Sequence, residues 1–318
     1  MARRSQLSLR GDVMAIDTVK VTVNGATVTA TDNGNGTYTA TLAAPNTTSY
    51  HVNSGHYYPV TVVATNKAGT ATTVNDQTAT IGQSLRLRVK ETTAPTISVS
   101  SPTSGQYFGV ASPEIKFTVI EEAGSSGVAI STLKITVDSA TYTNTSSNVT
   151  VSTVTNGYSI SCVPSSLTDG THTLKITVED NDGNTATSAS ISFVTDTIAP
   201  TLSVTSPSVS DTYSPTANIT VAGTTSDSTS GVSTVKITLN GTDQGAVTVS
   251  NGAYSKGVTL VNGSNTIVVT ATDKAGKVTT ITRTIILDTS SPVIASVVIN
   301  PNPVNIGANY TVTISVTG

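Results

Sequence analysis

Tryptophan is absent and cysteine occurs once, at Cys162. A lone cysteine closes no intramolecular disulfide, so a cysteine pair packed around a tryptophan cannot pin the core. Within SISCV, Cys162 reads as a small apolar side chain of a strand. Charged residues make up 11% of the chain, the net charge is −3, and no basic stripe is present. That composition removes the electrostatic footprint of a nucleic-acid binder. Arg3, Arg4 and Arg10 make a small basic N-terminus, read as a solvated tail. No apolar run reaches the about 18–20 residues that a membrane-crossing helix needs. The start, MARRSQLSLRGDVMAID, carries charges without the apolar core of a secretory leader. No segment keeps a helical period, so no long helix is expected.

What is present is repetition. TVKVTVNG (Thr18–Gly25), TLKITVDS (Thr132–Ser139) and TVKITLNG (Thr234–Gly241) are near copies. Each is followed by an Asn-Gly-Tyr signal, at Asn35, Asn156 and Asn251, and then by a strand-turn unit ending at Gly69, Gly183 or Gly276. A fixed internal period sets the architecture before any local detail. Thr and Val crowd the runs, and branched Cβ atoms suit a pleated surface. Leu133, Ile135 and Val137 alternate with Lys134 and Thr136, the period-two pattern of a sheet wet on one face. In the second repeat, strands are expected near 96–100, 114–120, 133–137, 158–163, 173–179 and 186–194. The 141–158 stretch reads as a loop. Six or seven such strands in about 100 residues read as an immunoglobulin-like sandwich.

The links ETTAP (Glu91–Pro95), DTIAP (Asp196–Pro200) and DTSSP (Asp288–Pro292) separate the repeats. Proline and its extended predecessor make such links short and stiff, which predicts an elongated rod. The expected layout is a first module over 1–92 with missing or atypical front strands, modules over 93–197 and 198–289, and a two-strand half-module over 290–318. Before Thr18 there are only 17 residues, whereas 37 and 34 separate Thr132 and Thr234 from their link prolines. After Pro292 the order of apolar residues matches the first two strands of a module. The sharp expectation is therefore strand donation. Val293, Val297, Val298, Tyr310, Val312, Ile314 and Val316 of one chain would complete the first module of another, by strand addition. The alternatives are that 6–10 supplies an extra strand to the first module, that the tail docks on module three or another protein, or that the 26 residues between Gly69 and Pro95 add a hairpin.

Catalytic and ligand motifs are sparse. His51 and His56 flank a turn, and His172 stands where the third repeat has Asn265, so no triad or zinc site is suggested. Ser131-x-x-Lys134 and Ser233-x-x-Lys236 lack their companion motifs and read as strand surface. EDNDGN (Glu179–Asn184) departs from calcium-loop spacing, because Val178 stands where the first acid should be. Lys67 and Lys274 in the matching turns would oppose a cation. Glu91, Asp196 and Asp288 put one acid at each link, too few by themselves for calcium, so no metal and no cofactor is expected. Arg10-Gly11-Asp12 and the Asn-x-Ser/Thr sites at Asn144, Asn218 and Asn262 are products of composition. Tyr57, Tyr58, Tyr107 and Phe108 are candidate aromatics for stacking on a glycan or partner, weighed against core packing.

The repeated DT-x-x-P link, the strand ending in (D/N)-x-x-G, and the segments Gly127–Thr136 and Gly231–Thr238 resemble bacterial Ig-like domain repeats. The layout is similar to the Ig-like repeat proteins encoded in tail modules of phages and prophages of Gram-positive bacteria, in which the chain starts near the MAID of Met14–Asp17. The resemblance implies a non-enzymatic virion component of the tail or baseplate, assembled in the host cytoplasm and present in several copies. Its implied partners are other virion proteins, further copies of itself, and a host-surface glycan bound weakly. The second reading is a secreted adhesin for cell-wall or host glycans. Neither involves nucleic acid or membrane insertion.

Overall fold

The computed structural model describes residues 15–318. Arg3, Arg4, Arg10, the 6–10 segment and the Arg10-Gly11-Asp12 tripeptide lie outside the described residues. Regular structure among the described residues is strand, with two short 3-10 turns at Ser49–His51 and Gly82–Leu85. The protein is all-β, built of tandem Ig-like sandwich modules. Its described residues gather into two compact units. One holds the chain up to Ser104 with Glu114–Pro164 and Thr173–Ser192; the other holds Gly105–Pro113, Ser165–His172 and Phe193–Gly318.

In the second unit two sheets face each other. One runs in the order Thr201–Ser206, Asn218–Ser226, Ala253–Thr259, Val249–Ser250. The other runs Thr212–Ser214, Val278–Leu287, Gly263–Asp273, Val232–Leu239, Thr242–Asp243. Period-two alternation explains the core: Val235, Ile237 and Leu239 lie opposite Ala271, Val269 and Ile267, and all six are buried. They join Val221, Tyr254 and Val258 of the facing sheet in one cluster. Asn240 and Gly241 at φ 52° and 81° make the tight turn between Leu239 and Thr242, a conformation whose twist matches the strands it joins.

The first unit repeats this logic. Ile115, Phe117 and Val119 point inward from a sheet ordered Val149–Val154, Gly157–Cys162, Ile115–Ile120, Thr96–Ser101. Leu133, Ile135 and Val137 are buried, the last two opposite Ile176 and Leu174 of the neighbouring strand. Three expectations need correction. The expected 133–137 strand begins earlier and runs Val128–Val137, and the expected 186–194 strand is broken into Thr185–Thr187 and Ile191–Thr195. The 141–158 loop contains Val149–Val154, which pairs along its length with Gly157–Cys162. Its sequence, VTVSTV, has an outer face of Thr and Ser that hid the alternation. A further short strand escaped the sequence in both the second and the third repeat. Gln106–Phe108 runs parallel to Phe193–Thr195, and Thr212–Ser214 runs parallel to Ile285–Leu287. Three-residue strands with remote parallel partners leave no periodic signal.

The first module is different. It forms one sheet ordered Ala26–Thr29, Ile16–Val23, Tyr58–Asn66, Ala71–Val74, with Arg86–Leu87 paired to Tyr58 and Pro59. A separate two-residue pair joins Thr31–Asp32 to Tyr38–Thr39. Among the described residues there is no second sheet of the kind that covers the other repeats. Val19, Val21 and Val62 accordingly stay half-exposed, and the buried apolar side chains of this module are Val23, Tyr57 and Tyr58. The residues between Gly69 and Pro95 form a strand, a 3-10 turn and a two-residue strand, not an added hairpin of their own.

Candidate functional site

Val293–Asn300 and Thr311–Thr317 form an antiparallel hairpin, with Val297 opposite Ile314 and Ile299 opposite Val312. Every residue of both strands is exposed. The seven expected assembly residues therefore lie on or beside one hairpin, Tyr310 just ahead of its second strand. A two-stranded hairpin is marginal in water, and both its edges offer unpaired backbone groups. Val312, Ile314 and Val316 share one face by alternation, at 45%, 55% and 57% exposure.

The aromatic candidates do not form a surface. Tyr57 and Tyr58 are buried, at 9% and 5% exposure. Tyr57 Oη donates to Asp76 Oδ2 at 2.9 Å beneath the Arg86 guanidinium, and Tyr58 Oη donates to the Thr47 carbonyl at 3.2 Å. Phe108 is half-buried and packs edge-on against Phe193, with ring centroids 5.9 Å apart. Tyr107 is half-buried under the Lys274 ammonium, 5.6 Å from the ring centre. Burial of Tyr57 and Tyr58 removes the expected stacking role from that pair.

The histidines tie loops. His56 stacks on Tyr50 at 4.2 Å, and His51 Nε2 lies 2.9 Å from the Ser125 carbonyl. His172 bonds the carbonyl of Thr168, four residues back; Asn265 does the same to Val261. Equivalent positions in two repeats thus close the same loop with different side chains. The Ser-x-x-Lys pairs sit on exposed strand surface, where Lys236 pairs with Asp243 at 3.1 Å.

Two carboxylate clusters emerge that sequence spacing did not reveal. Glu91, Glu121 and Asp180 offer oxygens all within 4.8 Å of one another, as do Asp196, Asp227 and Asp273. Each cluster takes one acid from a link, one from the loop ahead of a Gly-Val pair, and one from the end of a long strand. The local folding is the same in both. Ser126 N–H donates to Glu91 Oε1 at 2.5 Å, and Ser230 N–H donates to Asp196 Oδ2 at 3.0 Å. Gly127 N–H donates to Glu121 Oε2 at 2.8 Å, and Gly231 N–H donates to Asp227 Oδ1 at the same distance. Asn184 N–H reaches Asp180 Oδ1 and Lys277 N–H reaches Asp273 Oδ1, both at 2.8 Å. The remaining oxygens Glu121 Oε1 and Asp273 Oδ2 are buried without a hydrogen-bond partner, as are the hydroxyls of Ser126 and Ser230. Burial, and then the charges of Glu91 and Asp180, push the Glu121 carboxyl above its ordinary range, against the lowering effect of its hydrogen bonds from Ser125 and Gly127. Lys274, which the turn sequence set against a cation, lies over the Tyr107 ring and makes no ion pair with the acids.

Comparison with known proteins agrees with the fold. Residues 113–197 match the family Bacterial Ig-like domain, and residues 200–289 match Glucodextranase, domain B. Among curated proteins, nothing matches the chain. Among solved structures, the fibronectin(III)-like modules of Clostridium thermocellum CbhA are similar at 18% identity, over 61% of this chain and 94% of theirs, with a TM-score of 0.39. Dimeric latent PorU from Porphyromonas gingivalis is similar at 17% identity, over 87% of this chain and 30% of its own, with a TM-score of 0.29. The N-terminal eight Ig domains of the Down Syndrome Cell Adhesion Molecule are similar at 13% identity, over 95% and 40%, with a TM-score of 0.24. Among the described residues no helix is long and apolar enough to cross a membrane.

Proposed function

We propose that this Ig-like repeat chain is a non-enzymatic structural or adhesion component of a phage tail or baseplate, working in several copies joined by strand addition. The hairpin Val293–Thr317 of one copy lies against the open sheet of the first module of another. One observation carries this reading. The hairpin exposes its apolar side chains on every residue, while the sheet of Ile16–Val23 and Tyr58–Asn66 has half-exposed apolar residues and no facing sheet among the described residues. In the second repeat the equivalent hairpin, Thr96–Ser101 with Ile115–Ile120, belongs to the sheet missing from the first module. Burial of Val and Ile side chains stabilises by about 1.5–3 kcal/mol each when complete, so a handful suffices for association. Joining unlike surfaces head to tail gives a ring or a filament. Many weak contacts with a host surface then gain from avidity, and no single pocket is required.

Light scattering on the full chain over a range of concentrations tests the assembly. Mass is expected to rise with concentration, and Ile314→Lys is expected to return the chain to a monomer without lowering the melting temperature of the modules. A wild-type chain monomeric throughout, or a variant that assembles unchanged, overturns it. Mass spectrometry of purified virions tests the location: the chain is expected among the tail proteins. Recovery only from culture medium, in a form processed by secretion, points to the adhesin reading instead.

A further inference from the structure

Three carboxylates in one place, buried or half-buried, carry a cost that needs a physical resolution. If all three ionise, each cluster holds three negative charges within 4.8 Å of one another. Asp180, Asp196 and Asp273 are 2%, 0% and 2% exposed, and Glu121 is 9% exposed. No Lys or Arg among the described residues makes an ion pair with any of the six acids. Unpaired charge buried in this way is strongly unfavourable, so such groups take up protons or surround a cation.

The unpartnered atoms favour the cation. A capping oxygen is occupied by N–H groups, as Asp227 Oδ1 is by those of Thr229, Ser230 and Gly231. Glu121 Oε1 and Asp273 Oδ2 are not, although Glu121 Oε2 and Asp273 Oδ1 each accept a backbone N–H. Each cluster also has a buried, unpartnered serine hydroxyl, on the very residue whose N–H holds the link carboxylate. The same combination arises in two repeats whose loops differ in length and sequence. An open groove lined by Thr48, Glu91, Thr93, Glu121 and Ser125 gives solvent a path to the first cluster.

Donor chemistry selects the ion. All six side chains are hard oxygen donors, with no imidazole or thiolate, which suits calcium or magnesium and not zinc. Three protein carboxylates favour calcium, which takes six to eight oxygens at about 2.3–2.6 Å in flexible geometry, over magnesium, which keeps several waters and binds through one or two carboxylates. We propose that Glu91, Glu121 and Asp180 bind one calcium ion, and that Asp196, Asp227 and Asp273 bind a second. Each ion then clamps a link residue to a loop and a strand end of the repeat that follows it. The first repeat is an internal control: Asn66 stands where the others have Asp180 and Asp273, and among the described residues it has no third cluster. Asp288 at the last link spends Oδ1 on Ser290 N–H and joins no cluster. Among the described residues the count is therefore two ions.

Calorimetric titration of calcium chloride into the chelator-treated full chain tests this. About two ions per chain are expected. Asp273→Asn is expected to remove one site and leave the other, and Glu121→Gln to remove the complementary one. Thermal melts supply a second readout that a mere capping role would not produce. In chelator each variant should melt at or above the wild-type temperature, because a repelling charge is gone; in calcium each should melt below it. Absence of binding up to about 10 mM, ten times the weakest affinities of extracellular calcium modules, overturns the proposal. So does an identical melting shift of the variants in calcium and in chelator.

Discussion

Ser230 donates its backbone N–H to Asp196 Oδ2 at 3.0 Å, across 34 residues of sequence. The bond draws the link carboxylate into the loop that Asp227 caps, and Asp273 arrives from the end of the strand Gly263–Asp273. Ser126 does the same for Glu91. A link that reads in sequence as a proline-stiffened spacer is thus also held by a polar network, and that network concentrates the chain's buried acids.

Acidity should act on this network with a definite sign. The folded pKa of Glu121 is raised above its ordinary value of 4.5, chiefly by burial. The folded state therefore binds this proton more readily than the unfolded state. In calcium-free buffer, stability is expected to rise as pH falls from neutral through the raised folded value toward 4.5, and to be lost as pH rises back through that window. Glu121→Gln should flatten this part of the profile. Denaturant melts at a series of pH values, wild type against variant, measure it; an unchanged profile in the variant contradicts the assignment.

Gly223 is expected to tolerate no side chain. A Cβ there would overlap the Ser203 carbonyl and the Tyr254 ring, both fixed because Tyr254 Oη donates to that same carbonyl at 2.7 Å. Gly223→Ala should destabilise the third repeat by about 2–3 kcal/mol, the upper end for overpacking against atoms that cannot move. Chemical denaturation reads the loss. Gly257, on a neighbouring strand with open space around it, serves as the control and should cost under about 1 kcal/mol.

The thiol of Cys162 is expected to be inert in the native protein. It is fully buried, and burial pushes its pKa up to about 11, so thiolate is scarce at neutral pH. Alkylation at pH 8 followed by mass spectrometry should find it unmodified, with rapid labelling once denaturant is added.

Truncation should cost more in the closed repeats than in the open first module. Ile176 is 0% exposed, and Ile176→Ala is expected to destabilise by about 2–5 kcal/mol. Val62 is half-exposed, and Val62→Ala should cost less than about 1.5 kcal/mol in a dilute monomer, since its burial is incomplete. If copies assemble as proposed, the Val62 cost grows at concentrations where they associate.

Much of this protein was legible in its sequence because β-structure writes a period of two. The alternation at Leu133–Val137 named the buried face correctly, residue by residue. The hairpin of Val293–Asn300 and Thr311–Thr317 followed from its likeness to the first strands of a repeat. Other features left no such mark. Val149–Val154 carries Thr and Ser on its outer face and passed for a loop, and Gln106–Phe108 is too short to show alternation. For Tyr57 and Tyr58 the sequence left stacking and core packing both open, because their burial depends on Asp76, Arg86 and Thr47, which lie 11 to 29 residues away. The acid clusters were invisible for the same reason. One carboxylate per link is all that local spacing shows, and the other two come from a loop and a strand end brought in by sheet pairing. Composition and periodicity by themselves determined the all-β, repeated architecture, because they set which faces must leave water. Only the tertiary structure decided where charge is concentrated and which apolar sheet is left uncovered, because both depend on residues far apart in the chain meeting in space.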